Sequence, residues 1–166
     1  MSASFSARMS FLICFIFIVP LPSWSLRHPS PQVQSTYSTP IARMEDEILT
    51  YVNDYRGKKG LPVLQMNSDI SGEALKHSVD MATNKVAFGH DGFEDRVKMI
   101  SKKIGNMHSS AENVAYGNLS PKEVVDIWLK SAGHRKNIEG RYTLTGIGTA
   151  TDKSNIIFFT QIFVSK

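Results

Sequence analysis

Thr143-Leu144-Thr145-Gly146-Ile147-Gly148-Thr149-Ala150 and Ile156-Ile157-Phe158-Phe159-Thr160-Gln161-Ile162-Phe163-Val164 are where the chain changes period. Both runs are rich in β-branched and aromatic residues. The polar Thr151-Asp152-Lys153-Ser154-Asn155 between them supplies the turn of an antiparallel hairpin. Upstream, the period is helical. Met44, Ile48, Leu49, Val52 and Tyr55 recur at helical spacing over 42–56, and Gly57 and Gly60 end that helix. Leu61-Pro62-Val63-Leu64 is a short extended link. Asn67 or Ser68 can then cap a second helix with Ile70, Ala74, His77 and Met81 on one face. A turn at Gly89 and Gly92 leads to Phe93, Val97, Ile100 and Ile104, a third helix stopped by Gly105. Helices first and strands last argue for an α+β domain, with helices packed on a small antiparallel sheet.

The sharpest local signal is Ser120-Pro121-Lys122-Glu123. Ser120 can cap, Pro121 suits the first helical position, and Glu123 closes a capping box. Val124, Val125, Ile127 and Trp128 then face inward on a helix read as running to Gly133.

The 166 residues are 42% hydrophobic and 20% charged, the profile of one ordinary globular domain. The N-terminus departs from it. Arg8 is the only charge before the uninterrupted apolar Phe11–Val19, which Pro20, Pro22, Ser23 and Ser25 follow. That pattern predicts a secretory signal peptide over 1–25, and hence a secreted, extracellular protein with no transmembrane helix once the signal is removed. An uncleaved anchor is the competing reading, because the n-region carries a single positive charge. Residues 26–40, rich in Pro, Ser and Thr, read as an extended linker, and 41–166 as the folded domain. The lone Cys14 falls in the signal segment, so the mature chain has no thiol for a disulfide or a metal; Ile13 before it does not fit lipidation. Setting Arg8 aside leaves 18 of the 19 basic side chains against 15 acidic ones. With no basic run interleaved with aromatics, this mild excess speaks against nucleic acid and leaves room for anionic walls or lipid headgroups.

The sequence has no glycine-rich phosphate loop, no helix with two His four apart, and no nucleophile-elbow serine. The histidines are therefore the informative residues. His90 closes Phe88-Gly89-His90-Asp91-Gly92, His134 closes Ser131-Ala132-Gly133-His134-Arg135, and Glu112 sits in small apolar company in Ala111-Glu112-Asn113-Val114-Ala115. Two imidazoles and a carboxylate are what a catalytic-type zinc site needs, with a fourth position left for water. The spacings are too long for a local ligand motif, and taken alone they are better explained by surface histidines unrelated to one another.

The residues Ala74–Ala82, Phe88-Gly89-His90, Ala111-Glu112-Asn113-Val114-Ala115-Tyr116-Gly117, Val125–Ile138 with its Trp128 and Gly133-His134, Gly146-Ile147-Gly148 and Phe159–Phe163 occur in the order seen in the CAP superfamily. This is the SCP-domain group of cysteine-rich secretory proteins, antigen 5 and pathogenesis-related 1, and the chain resembles its short, cysteine-free, bacterial-type branch over 42–165. The resemblance implies an α-β-α sandwich whose cleft holds two His and acidic residues and in several members binds zinc or another divalent ion. His90 and His134 match the cleft histidines and Glu112 the acid. Ser131 stands where longer relatives place a second acid, a departure that bears on metal affinity.

Beside these, His77 reads as a hydrogen-bonded core histidine and His28 as an inert linker residue. His108, four residues before Glu112, reads as a loop histidine. Asn113 is expected to fix loop backbone, and Arg135 and Asn137 to brace the turn after the Trp128 helix. Ser131 as a nucleophile lacks an oxyanion-hole signature. Asn118-Leu119-Ser120 is a formal glycosylation sequon opposed by Pro121, and Trp128, Phe158 and Phe163 read as core.

Three functions follow. The first, favoured by the resemblance, is an extracellular binding or interaction module whose partner is an extracellular protein, a cell-wall component or a lipid. The second is a metal-dependent, protease-like hydrolase in which Glu112 is ligand or general base. The third is lipid or sterol capture, known for some relatives.

Overall fold

The computed structural model describes residues 40–166, with side chains from 43 onward. The signal segment expected over 1–25 and the linker expected over 26–40 lie outside the described residues, except for Pro40, which opens α1. The elements run α1 (Pro40–Lys58), β1 (Gln65–Met66), α2 (Ser68–Ala82), α3 (Phe93–Ile104), β2 (Ser109–Gly117), α4 (Pro121–Lys130), α5 (Ala132–Ile138), β3 (Leu144–Thr151) and β4 (Ile157–Ser165). The four strands form one sheet in the order β1-β3-β4-β2.

The hairpin read from the C-terminus is β3–β4, with Leu144 opposite Val164 and Thr151 opposite Ile157. Its turn is closed by Asp152, whose Oδ1 accepts from the main-chain N–H groups of Ser154 (2.7 Å) and Ile156 (2.9 Å). β2 joins the far side of β4 antiparallel, and the short β1 pairs parallel with β3 at the other edge. The expected antiparallel sheet is thus three strands, with a two-residue parallel addition.

Alternation along β4 divides the interior into two layers. Phe159 and Phe163 pack with Ile48 and Val52 of α1, Val124, Val125 and Trp128 of α4, and Ile138 of α5. Ile162 and Val164 point the other way, against Ile70 and Ala74 of α2 and Ile100 of α3. Helices on both faces of the sheet make the α-β-α sandwich. Trp128 is fully buried and donates its indole N–H to the Val114 carbonyl at 3.2 Å, tying α4 to β2.

The capping signals hold. Asn67 caps α2, Gly105 ends α3, and Ser120 with Glu123 forms a complete capping box on α4. Three elements differ from the sequence reading. α1 runs through Gly57 to Lys58 instead of ending at Arg56, and Gly60 lies in the turn beyond it. Residues 109–117 form a strand whose middle five positions are all buried, so no alternation of polarity marks it in the sequence. The Trp128 helix stops at Lys130 rather than Gly133. Ser131 ends α4 and starts α5, and its hydroxyl accepts a long bond from the His134 N–H at 3.5 Å. His134 therefore lies in the first turn of a helix and not past the end of one.

On β3, Gly146 and Gly148 face α2, and the helix backbone occupies the space their side chains would need. A Cβ on Gly148 would collide with the backbone of Ala74 and Leu75, and one on Gly146 with that of Ile70 and Ser71. Ser78 uses the close approach, donating to the Gly148 carbonyl or to Thr160 Oγ1, each at 2.8 Å. Gly148→Ala should therefore destabilise the domain by about 1–3 kcal/mol, or more if α2 cannot shift. A fall in the urea midpoint at unchanged slope is the expected result.

Candidate functional site

Neighbouring residues on β2 point to opposite faces, and the site is built on that fact. Glu112 projects toward α2 and α3, while Asn113 projects toward α5. The Glu112 side chain is almost wholly buried, at 1% exposure. A lone buried carboxylate would be strongly disfavoured, and this one is held from three directions. Arg96 of α3 donates Nε to Oε2 at 2.9 Å and Nη2 to Oε1 at 2.7 Å, a bidentate clamp. His90 donates Nδ1 to Oε1 at 2.9 Å. His77 of α2 stands behind, its Nε2 4.0 Å from Oε1.

The loop carrying His90 is fixed by the same residues. His77 Nε2 lies 2.9 Å from the Gly89 carbonyl, which can only accept, so Nε2 carries the proton. Burial, the largest influence on the ring, pushes the His77 pKa below the usual histidine range. Arg96 Nη1 donates to the Asp91 carbonyl at 2.8 Å. Gly92, at φ 76°, takes the left-handed turn that starts α3 and brings Arg96 round to Glu112.

On the other face, Asn113 donates Nδ2 to the His134 carbonyl at 3.1 Å. Asn137 donates Nδ2 to Asn113 Oδ1 (2.9 Å) and to the Glu112 carbonyl (3.1 Å). These bonds fasten α5, and with it the His134 backbone, to the edge strand. The His134 pKa is pushed down first by burial and then by the nearby charge of His90. Its Nδ1 is buried with no hydrogen-bond partner among the described residues.

The structure thus brings His90 and Glu112 into contact and ties the main chain of His134 to the neighbouring Asn113. His77 is buried and hydrogen-bonded as expected of a core histidine, yet it also backs the carboxylate. His108 is exposed at the head of β2, where its main-chain N–H bonds the Ser165 carbonyl. Arg135 braces the end of α4 through the Leu129 carbonyl at 3.0 Å. Asn137, expected to do the same, reaches β2 instead, and Asn113 sits in a strand rather than a loop. Phe158, expected in the core, is only half-buried and stacks under the exposed Tyr116, with ring centroids 5.7 Å apart.

Arg96 is the residue that sequence reasoning missed. Its signal was present: it lies within the apolar stripe of α3, three residues after Phe93 and four before Ile100, where an unpaired charge has no place.

The arrangement defines what Glu112 can do. Oε1 accepts from Arg96 and His90 and Oε2 from Arg96, so Glu112 is placed to orient His90. With Nδ1–H pointing at the carboxylate, the lone pair of a neutral His90 is on Nε2, on a side chain that is 51% exposed. Among the described residues no three His, Cys, Asp or Glu side chains stand in a metal-ligating arrangement. Arg96→Met should strand the buried carboxylate and cost about 3–5 kcal/mol, whereas Arg96→Met/Glu112→Leu should recover much of that loss. Urea unfolding of the two single mutants and the double mutant measures the difference.

Comparison with known proteins agrees with the fold. The profile of the cysteine-rich secretory protein family, CAP, matches residues 49–163. An uncharacterized protein of Bacillus subtilis, YkwD, is 33% identical over 141 residues, which cover 81% of this chain and 53% of that protein. Among solved structures, an extracellular protein containing an SCP domain from Bacillus anthracis aligns with a TM-score of 0.66 at 27% identity, covering 78% of this chain and 44% of the other. A cysteine-rich secretory protein from Staphylococcus aureus aligns with a TM-score of 0.63 at 23% identity, over 76% and 40%, a likeness of fold. The chain spans about half the length of the curated relative, and less than half of the two solved chains.

Proposed function

This chain belongs to the cysteine-rich secretory protein (CAP) family, and from that premise we propose that it is an extracellular binding module whose cleft takes a divalent ion, zinc by donor chemistry, on His90 and His134. The observation that carries the reading is the bond from His90 Nδ1 to Glu112 at 2.9 Å. A carboxylate on the far nitrogen of an imidazole fixes the tautomer, aims the ring and raises the basicity of the ligating nitrogen. Glu112 supplies this from a buried position, and Arg96 holds Glu112. The leader-like N-terminus and the solved Bacillus anthracis relative, described as extracellular, support placing the module outside the cell.

Binding is favoured over hydrolysis because the side chains that could do chemistry are already engaged. Glu112 has both oxygens bonded to Arg96 and His90, and the Ser131 hydroxyl caps α5. A bound ion would supply a charged anchor for an anionic or carbonyl-bearing ligand in an open cleft.

Calorimetric titration of zinc into the domain tests the reading. One ion should bind in the micromolar range or tighter. Binding should be abolished in His90→Ala/His134→Ala and weakened about 10–100-fold in Glu112→Gln. No binding near neutral pH, with circular dichroism showing a folded domain, overturns it.

A further inference from the structure

Arg56, near the end of α1, is fully buried yet has no acidic partner. Its Nε donates to the Pro62 carbonyl at 2.9 Å, its Nη1 to the Ile138 (2.6 Å) and Gly140 (2.9 Å) carbonyls, and its Nη2 to the Tyr142 carbonyl at 3.3 Å. Of the five guanidinium N–H groups, one on Nη2 is unspent and the other Nη2 bond is the longest of the set. Carbonyl dipoles satisfy four of the five donors, but they leave the charge uncancelled. Among the described residues no carboxylate lies within ion-pair distance of Arg56, although buried charges are ordinarily paired. Burial pushes its pKa below the usual arginine value.

Arg56 also lines a cavity of about 360 Å³, walled by Leu61, Pro62, Tyr142 and Thr143 and flanked by the exposed Arg141. That volume falls within the range of small-molecule sites, and the walls are mainly apolar with few polar groups, as such sites require. No acidic side chain lines the cavity, and Arg141 makes no ion pair among the described residues. The smaller cavity between α2 and α3, about 180 Å³, is different. Glu73, Asp80 and Arg96 on its walls are already paired with Lys103, Lys85 and Glu112.

We propose that the Arg56–Arg141 cavity is a second binding site, separate from the His90 cleft, for a small organic anion: a carboxylate carried on a compact apolar frame. Arg141 meets the carboxylate at the mouth, Arg56 adds the field of an uncancelled charge from beneath, and Leu61, Pro62 and Tyr142 cover the frame. Two cations beside a mainly apolar wall select against neutral and cationic analogues of the same shape.

The test uses 3-phenylpropionate as probe, with 3-phenylpropanol and inorganic phosphate as controls, followed by amide NMR shifts on the full chain. The carboxylate should give saturable shifts at the Leu61, Arg141 and Thr143 amides. Arg141→Glu, an exposed change that leaves the buried bonds of Arg56 in place, should weaken binding roughly tenfold. Arg56→Gln, if it folds, should weaken it as well. Absence of saturable shifts at these amides up to millimolar probe overturns the proposal, as does unchanged affinity in Arg141→Glu. An equal response to phenylpropanol shows that charge is not read, and an equal response to phosphate shows that the apolar walls are not. Either result also overturns it.

Discussion

The arrangement of this domain around its cleft depends on one buried charge. Glu112 sits on an edge strand with its carboxylate out of water, a position that is tolerable only if a cation and further donors are delivered to it. Arg96 delivers the cation from α3, and the turn at Gly92 sets where α3 begins. His90 delivers a hydrogen bond from the preceding loop, which His77 holds through the Gly89 carbonyl. Three segments of chain thus converge on a single carboxylate, and the ring of His90 is aimed by that convergence.

β2 carries the same logic to its other side. As the edge of the sheet it presents carbonyl groups with no strand beyond them, and an open edge is a site for unwanted pairing. Trp128 takes the Val114 carbonyl and Asn137 takes the Glu112 carbonyl. The bonds that cover the edge therefore also dock α4 and α5 and seat His134. Protection of the edge strand and docking of α4 and α5 are one piece of construction. It follows that Glu112 and Asn113 must be adjacent: alternation along a strand sends one side chain to the α2–α3 layer and the next to α5.

Much of this was legible in the sequence. The period change at 143–164, the capping box at Ser120 and the stop at Gly105 marked the α+β class and several helix boundaries, because those signals are local, whereas α1 runs through Gly57. Resemblance of the Glu112-Asn113 and Gly133-His134 segments to a known family pointed to the sandwich and singled out His90, Glu112 and His134 for attention. β2 was not legible, because a strand buried on both faces in its middle shows no alternation. The break at Ser131 was hidden because Ser, Ala and Gly are compatible with both a helix end and a helix start. Arg96 escaped notice because its partner lies sixteen residues away, and only tertiary packing explains a charge within an apolar stripe. The lone cation at Arg56 was likewise invisible, since its acceptors are main-chain carbonyls that no side-chain pattern reports.

The central claim is that Glu112 sets the tautomer of His90, and histidine nitrogen NMR reads that directly. In long-range proton–nitrogen spectra of the labelled, metal-free protein at about pH 8, where an ordinary imidazole is neutral, His90 should carry its proton on Nδ1 and leave Nε2 bare. His77 should show the opposite tautomer, as its bond to the Gly89 carbonyl requires. His90 found with its proton on Nε2 and a bare Nδ1 would contradict the account, because no hydrogen bond could then run from Nδ1 to the carboxylate.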